Sequence, residues 1–155
     1  MAELNRAATL QELYDITARA VRELTGFDRV MVYRFHQDGS GEVVAEVAAG
    51  GLEPFLGLHY PASDIPRQAR ILYQRNWLRI ISDINARPAL LSSAPSHSAT
   101  LLDLSMSVLR SVSPIHIEYL RNMGVGASMS VSILRDGKLW GLFACHHYSP
   151  RHISF

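Results

Sequence analysis

The chain has a single cysteine in 155 residues, Cys145, which excludes an internal disulfide and a cysteine-based zinc site and is consistent with a reducing compartment. It has a single lysine, Lys138, against fourteen arginines, yet the acidic residues bring the net charge to only +1. The arginines are spread along the chain and form no basic block, so the electrostatic footprint of a nucleic-acid-binding surface is missing. Planar, bidentate recognition of carboxylates would suit this arginine usage, and a GC-rich genome would produce the same bias. Long hydrophobic runs are also absent: the apolar stretches are strand-sized and none is long enough for a membrane span. The N-terminus is an amphipathic helical pattern containing acidic residues, unlike a charged-then-apolar leader, and a cytoplasmic location is expected. There is no internal repeat, no low-complexity tract, no phosphate-cradling glycine loop, no nucleophile beside its base and no metal triad, so an enzyme is not expected.

What is present describes one globular domain over residues 1–155, since 48% of the residues are apolar and the length suffices for one proper core. Thr9-Leu10-Gln11-Glu12 has capping-box form, and Leu10, Leu13, Thr17, Val21 and Leu24 follow at helical spacing until Gly26, which predicts a helix from about Thr9 to Thr25. Asp28 to His36 alternates, with Val30 and Val32 on one face and Met31, Tyr33 and Phe35 on the other. Asp38-Gly39-Ser40-Gly41 then turns the chain into Glu42 to Ala48, a hairpin. Pro66 suits the first position of a helix carrying Ala69, Leu72, Tyr73 and Asn76, and Leu78 to Ile81 reads as a short strand.

From Asp83 to Leu102 the chain is rich in Ser, Pro and Ala without a sustained period, which predicts a long irregular segment. A helix is predicted around Asp103 to Arg110 and another from Ile115 to Met123, ended by Gly124. Ala127 to Leu134 and Lys138 to His147 flank Asp136-Gly137, a second hairpin. The order of elements gives an α+β fold with an antiparallel sheet.

Two segments read poorly as core. In Tyr60-Pro61-Ala62-Ser63-Asp64-Ile65-Pro66 the prolines restrict the backbone around one ionisable residue, Asp64. In Ser113 to Leu120, His116 follows a Ser-Pro break at the start of a helical pattern. A carboxylate and an imidazole are therefore expected to share one ligand pocket. Taken singly these residues have plainer readings. Asp64 would serve as a helix cap, Tyr33, Tyr73 and Met123 as core, Arg79 and Arg110 as members of surface ion pairs, and Cys145 as a small buried hydrophobe. His146 and His147, adjacent on a strand, point to opposite faces and so do not readily bind one ion.

Taken together, Phe27 to Phe35, the Pro61 to Pro66 motif, Leu109 to Val125 and Leu139 to His147 resemble the chromophore-binding GAF domain of bacterial phytochromes, over nearly the whole chain. The resemblance implies a six-stranded antiparallel sheet flanked by helices and a linear tetrapyrrole ligand, biliverdin. It implies red/far-red light sensing by isomerisation at the methine bridge to the terminal D ring. It also implies that the Asp64 carbonyl accepts from pyrrole N–H groups with His116 beside it. Arg79 and Arg110 would hold the propionates with Ser113, Ser128 and Ser130, and His146 would bond the D-ring carbonyl. Tyr33, Tyr60, Ile65, Tyr73, Tyr119 and Met123 would wall that ring.

Plant and cyanobacterial relatives attach the bilin through a cysteine where this chain has Ile115, and Ile117 is not cysteine either. Bacterial relatives use an extension before a preceding PAS domain, and this chain carries neither, so non-covalent binding is expected. A C-terminal truncation is expected too, without the closing helix that would follow Phe155 and without PHY and kinase modules. An exposed sheet face would then favour a homodimer. The competing readings are a GAF domain that binds a cyclic nucleotide or haem, and a ligand-free dimerisation module.

Overall fold

The computed structural model describes residues 6–92 and 102–153. Helix α1 (Leu10–Thr25) begins where the sequence predicts: the Thr9 hydroxyl accepts from the Glu12 N–H at 3.1 Å and the Glu12 carboxylate accepts from the Thr9 N–H at 3.3 Å. It ends at Gly26, whose φ of +66° is the left-handed cap geometry glycine adopts without strain. The strands are β1 (Arg29–Phe35), β2 (Gly41–Ala48), β3 (His59–Tyr60), β4 (Leu78–Ile81), β5 (Ala127–Arg135) and β6 (Lys138–His147). They form one antiparallel sheet in the order β3-β2-β1-β6-β5-β4. Helices α2 (Arg67–Arg75) and α3 (Pro114–Asn122) complete the fold. Both hairpins are present, and Asp136 and Gly137 take φ of +52° and +72° at the second turn.

The central pair β1–β6 splits the interior into two faces. Val30, Val32 and Cys145 join Ala18, Phe27, Ala45 and Met129 in the core beneath α1. Met31, Tyr33 and Leu142 point the other way, with Val43. Val43 and Ala45 lie on opposite faces because the β1–β2 register slips between Val32 and Tyr33: Val32 pairs with Ala45 and Tyr33 with Val43, leaving Val44 as an extra residue. That bulge also sets Glu46 on the face of Met31, its cross-strand partner. A smaller cluster of Ile84, Leu120 and Val125 seats α3. Helix α1 packs on β1 and β2, and Val131, Ile133, Trp140 and Phe143 on the neighbouring strands remain only partly buried. Among the described residues no helix is long and apolar enough to cross a membrane.

Two expectations need correction, and one element went unread. Residues 103–110 form turns, not a helix: Asp103 accepts the Ser105 N–H at 2.9 Å, the local side-chain bond that competes with helix formation, and Met106 and Leu109 have no core to enter. Pro66 is the residue before α2, which starts at Arg67. The strand β3, two residues long, gave no periodic signal in the sequence. Residues 83–92 are irregular as expected, and the rest of that segment, 93–101, lies outside the described residues.

Gly141 tests the central pair, because a Cβ there would run into the backbone carbonyl of Tyr33 on β1. Gly141→Ala is expected to cost about 2 kcal/mol and lower the melting temperature by roughly 4–8 °C. An unchanged melt would show that β1 and β6 can separate without cost.

Candidate functional site

The face of the sheet opposite α1 does not close into solid core. It borders a cavity of about 630 Å³ roofed by α2, α3 and the segments that precede them. The floor comes from alternate strand residues: Met31 and Tyr33 of β1, Ser128 and Ser130 of β5, and Leu142, Ala144 and His146 of β6. Period-two alternation delivers them, since each is two residues from the next on its strand. Pro61 to Pro66 brings Asp64 and Ile65 to one wall, and the Ser113-Pro114 start of α3 brings His116, Tyr119 and Met123 to the other.

All fourteen residues singled out in the sequence lie on this one cavity: Tyr33, Tyr60, Asp64, Ile65, Tyr73, Arg79, Arg110, Ser113, His116, Tyr119, Met123, Ser128, Ser130 and His146. Asp64 and His116 thus share a site, and the helix-cap alternative for Asp64 fails because α2 has no side-chain cap bond. Tyr33 is both core and lining, 8% exposed, with its ring 6.0 Å from that of Tyr60. His116 lies nearly parallel to the Tyr119 ring at 6.3 Å.

Arg79 is no member of a surface ion pair. Its guanidinium lies 3.7 Å over the Tyr73 ring, and its Nε donates to Ser130 at 2.8 Å. Its Nη1 donates to the Asn76 carbonyl at 2.6 Å and to Ser132 at 3.1 Å. Its Nη2 is buried without a partner among the described residues. Burial pulls this arginine down to about 10, so it remains a cation at neutral pH, held by Ser130, Ser132, the Asn76 carbonyl and the Tyr73 ring. Arg110 lines the same cavity and donates to the Ser107 carbonyl at 2.8 Å.

The imidazoles are held neutral. His146 is 7% exposed, its Nδ1 has no partner among the described residues, and burial, then the charges of Arg29 and His116, push it down to about 4. His116 is lowered by burial and by Arg79. Burial first, then neighbours that include Asp64, raises Tyr33 and Tyr119 to about 12, so both phenols keep their protons as donors. The site therefore offers one fixed cation, neutral hydrogen-bonding groups and apolar or aromatic walls, suited to a long, largely apolar ligand with acidic substituents.

His147 points away from the cavity, 2.8 Å from the Asp28 carboxylate, and among the described residues no group of three His, Cys, Asp or Glu side chains is arranged to hold a metal. Cys145 faces the α1 core, fully buried, its thiol pushed up to about 12 by burial. The sequence reading missed Phe55, which reaches the wall from the loop between β2 and β3, and Met31, Leu142 and Ala144. The last three share strand parity with Tyr33 or His146, a signal that was available; Phe55, in a loop, carried none.

The family profile for the GAF domain matches residues 9–155, and the chain belongs to the GAF domain family. Its relatives are phytochromes. It is 55% identical over 157 residues to cyanobacterial phytochrome B of Nostoc sp., covering all of this chain and 21% of that protein. It is 58% identical over 136 residues to a bacteriophytochrome of Pseudomonas aeruginosa, covering 87% of this chain and 19% of that one. The chromophore-binding domain of Stigmatella aurantiaca phytochrome P1 superposes with a TM-score of 0.95 at 55% identity, over 99% of this chain and 51% of the solved one. The chain thus spans about a fifth of the length of these curated relatives. The resemblance read from the sequence, and the six-stranded fold it implied, are borne out.

The depressed His146 sets a pH dependence. In the unfolded chain this imidazole titrates near ~6.5, and in the fold at about 4, so the unfolded state binds the extra proton between those values. Its contribution to stability is complete above ~6.5 and falls away as the pH drops towards 4, by on the order of 3 kcal/mol. Melting temperatures are expected to fall across that window in the wild type and less steeply in His146→Leu. Equal slopes would contradict the burial of a neutral His146.

Proposed function

We propose that the cavity binds a linear tetrapyrrole, biliverdin, non-covalently, and that the chain is the photosensory module of a red/far-red light receptor. The observation that carries this reading is one cavity with a buried cation, Arg79, and a neutral imidazole, His146, on its lining, each with a nitrogen unsatisfied among the described residues. Unpaired buried polar groups are costly, and a ligand with carboxylates and a terminal carbonyl would satisfy both. In this reading the propionates go to Arg79 and Arg110 with Ser113, Ser128 and Ser130, and the Asp64 carbonyl with His116 takes the pyrrole N–H groups. His146 bonds the D-ring carbonyl. Tyr33, Tyr60, Ile65, Tyr73, Tyr119 and Met123 leave that ring room to rotate about its methine bridge when light is absorbed. The changed bonds to His146 and Asp64 are the switch, and no catalytic step is involved.

For this chain by itself, non-covalent binding is supported by its one cysteine, Cys145, lying on the other side of the sheet and by Ile115 at the cavity position next to His116. By the family resemblance the chain would work in the cytoplasm within a longer receptor carrying PAS, PHY and kinase modules. It would pair with a second copy through the partly buried strip beside α1.

Adding biliverdin to the purified chain is expected to narrow and intensify its red absorption band, and red light to bleach or shift it. Denaturation should release the pigment. Arg79→Ala is expected to weaken binding at least ~10-fold through loss of a charge-assisted contact. Spectra indifferent to the protein, or a sharp Soret band with added haem in place of a bilin response, would overturn the bilin reading. Sedimentation is expected to show dimers at micromolar concentration, and a monomer there would contradict the pairing.

A further inference from the structure

We infer that Arg29 is a positioning residue for the cavity: its guanidinium clamps the loop that carries Phe55 and places a permanent positive charge across the ladder from His146. Arg29 is the largest fully buried side chain of the described residues, 1% exposed, on the first residue of β1. It shares strand parity with Met31 and Tyr33 and therefore their face of the sheet. Its direct cross-strand partner on β6 is His146.

A buried arginine is costly unless its charge is met. Here Nη1 bonds the Glu46 carboxylate, Nη2 donates to the Glu53 carbonyl at 2.7 Å, and the guanidinium carbon lies 3.7 Å from the centre of the Phe55 ring, while Nε has no partner among the described residues. Glu46 uses its second oxygen to accept the backbone N–H groups of Phe55 and Leu56, at 2.8 and 2.9 Å. The ion pair thus holds the loop from two strands at once, through its backbone and through the ring that lines the cavity. The loop closes its own turn, with the Leu58 N–H donating to the Phe55 carbonyl at 3.0 Å, and the ion pair ties that turn to the sheet on the Phe55 side.

The same charge acts on His146. The groups facing this imidazole are Arg29 from β1, with Glu46 of β2 behind it, His116 from α3 and the Ser128 hydroxyl from β5, its cross-strand partner on that side. Protonating His146 would set a second cation beside Arg29 in a buried site, and the fold disfavours it. A ligand end arriving there meets a neutral imidazole backed by a fixed cation, which favours an oxygen acceptor over a basic nitrogen.

The purpose of this arrangement rests on the bilin reading, so the test is read on the bilin-free chain. Long-range proton–nitrogen NMR of the histidine rings, with the His146 signal identified by its loss in His146→Gln, would be followed from about pH 7.5 to about pH 4.5. The wild-type imidazole is expected to stay predominantly neutral through that range, its midpoint lying below it. In the double variant Arg29→Met/Glu46→Gln the buried charges are removed together, while the new side-chain amide oxygen still accepts from the loop. Its His146 midpoint is expected to rise by roughly one pH unit. Arg29→Lys, which keeps the charge and changes the shape, should behave as the wild type. A folded double variant whose His146 titrates as in the wild type would overturn the assignment. If the double variant gives no cooperative melt, the closer-fitting neutral pair Arg29→Gln/Glu46→Gln decides: a His146 midpoint raised above that of the wild type supports the charge role, and an unchanged midpoint refutes it. Biliverdin added afterwards separates the two readings, because a wild type that binds none would fail the bilin reading while leaving the titration result intact.

Discussion

The antiparallel pairing of β1 with β6 is the constraint on which the rest of the molecule depends. Because side chains alternate across a strand, this one pairing sorts Val30, Val32 and Cys145 into solid core and Met31, Tyr33, Leu142, Ala144 and His146 onto a cavity floor. A slip of one residue would put the lining under α1 and the core in the cavity. The glycine at position 141, with no room for a side chain against the Tyr33 carbonyl, and the bulge at Val44 hold that register.

Electrostatics follow from the same geometry. The lining of the cavity contains two arginines and two histidines among aromatic walls, an arrangement that would be unstable if every group carried its charge. The fold resolves it by keeping the guanidinium groups charged and the imidazoles neutral. Arg79 is braced by Ser130, Ser132 and the Tyr73 ring, Arg29 behind the floor by Glu46, and these cations help hold His116 and His146 below the ordinary histidine range. Nη2 of Arg79 and Nδ1 of His146 remain without partners among the described residues of this lining.

Much of this was legible in the sequence for reasons that can be named. Capping box, Asp-Gly turn and period-two strands are local signals, and α1, both hairpins and β4 followed from them. The fourteen candidate residues reached one cavity because the resemblance supplied long-range contacts that local periodicity cannot. Failures occurred where tertiary context decides. Residues 103–110 carried enough apolar residues for a helix but were captured by the Asp103 turn, and β3 is too short to show a period. Arg29 read as an ordinary charge at a strand end, although its parity with Met31 and Tyr33 already placed it on the inner face, and only its pairing with Glu46 and the Phe55 loop makes sense of its burial.

The most direct test of the central claim is a methyl-resolved NMR titration of the chain with biliverdin, because a conjugated tetrapyrrole displaces the resonances of methyl groups over which it lies. The account requires large shifts at Met31, Met123, Leu142 and Ala144, with Val30, Val32 and Ala45 nearly unmoved, since the two sets sit on opposite sides of the sheet. Shifts shared equally by both sets, or no shifts at all, would contradict a bilin site built on one face of the β1–β6 pair.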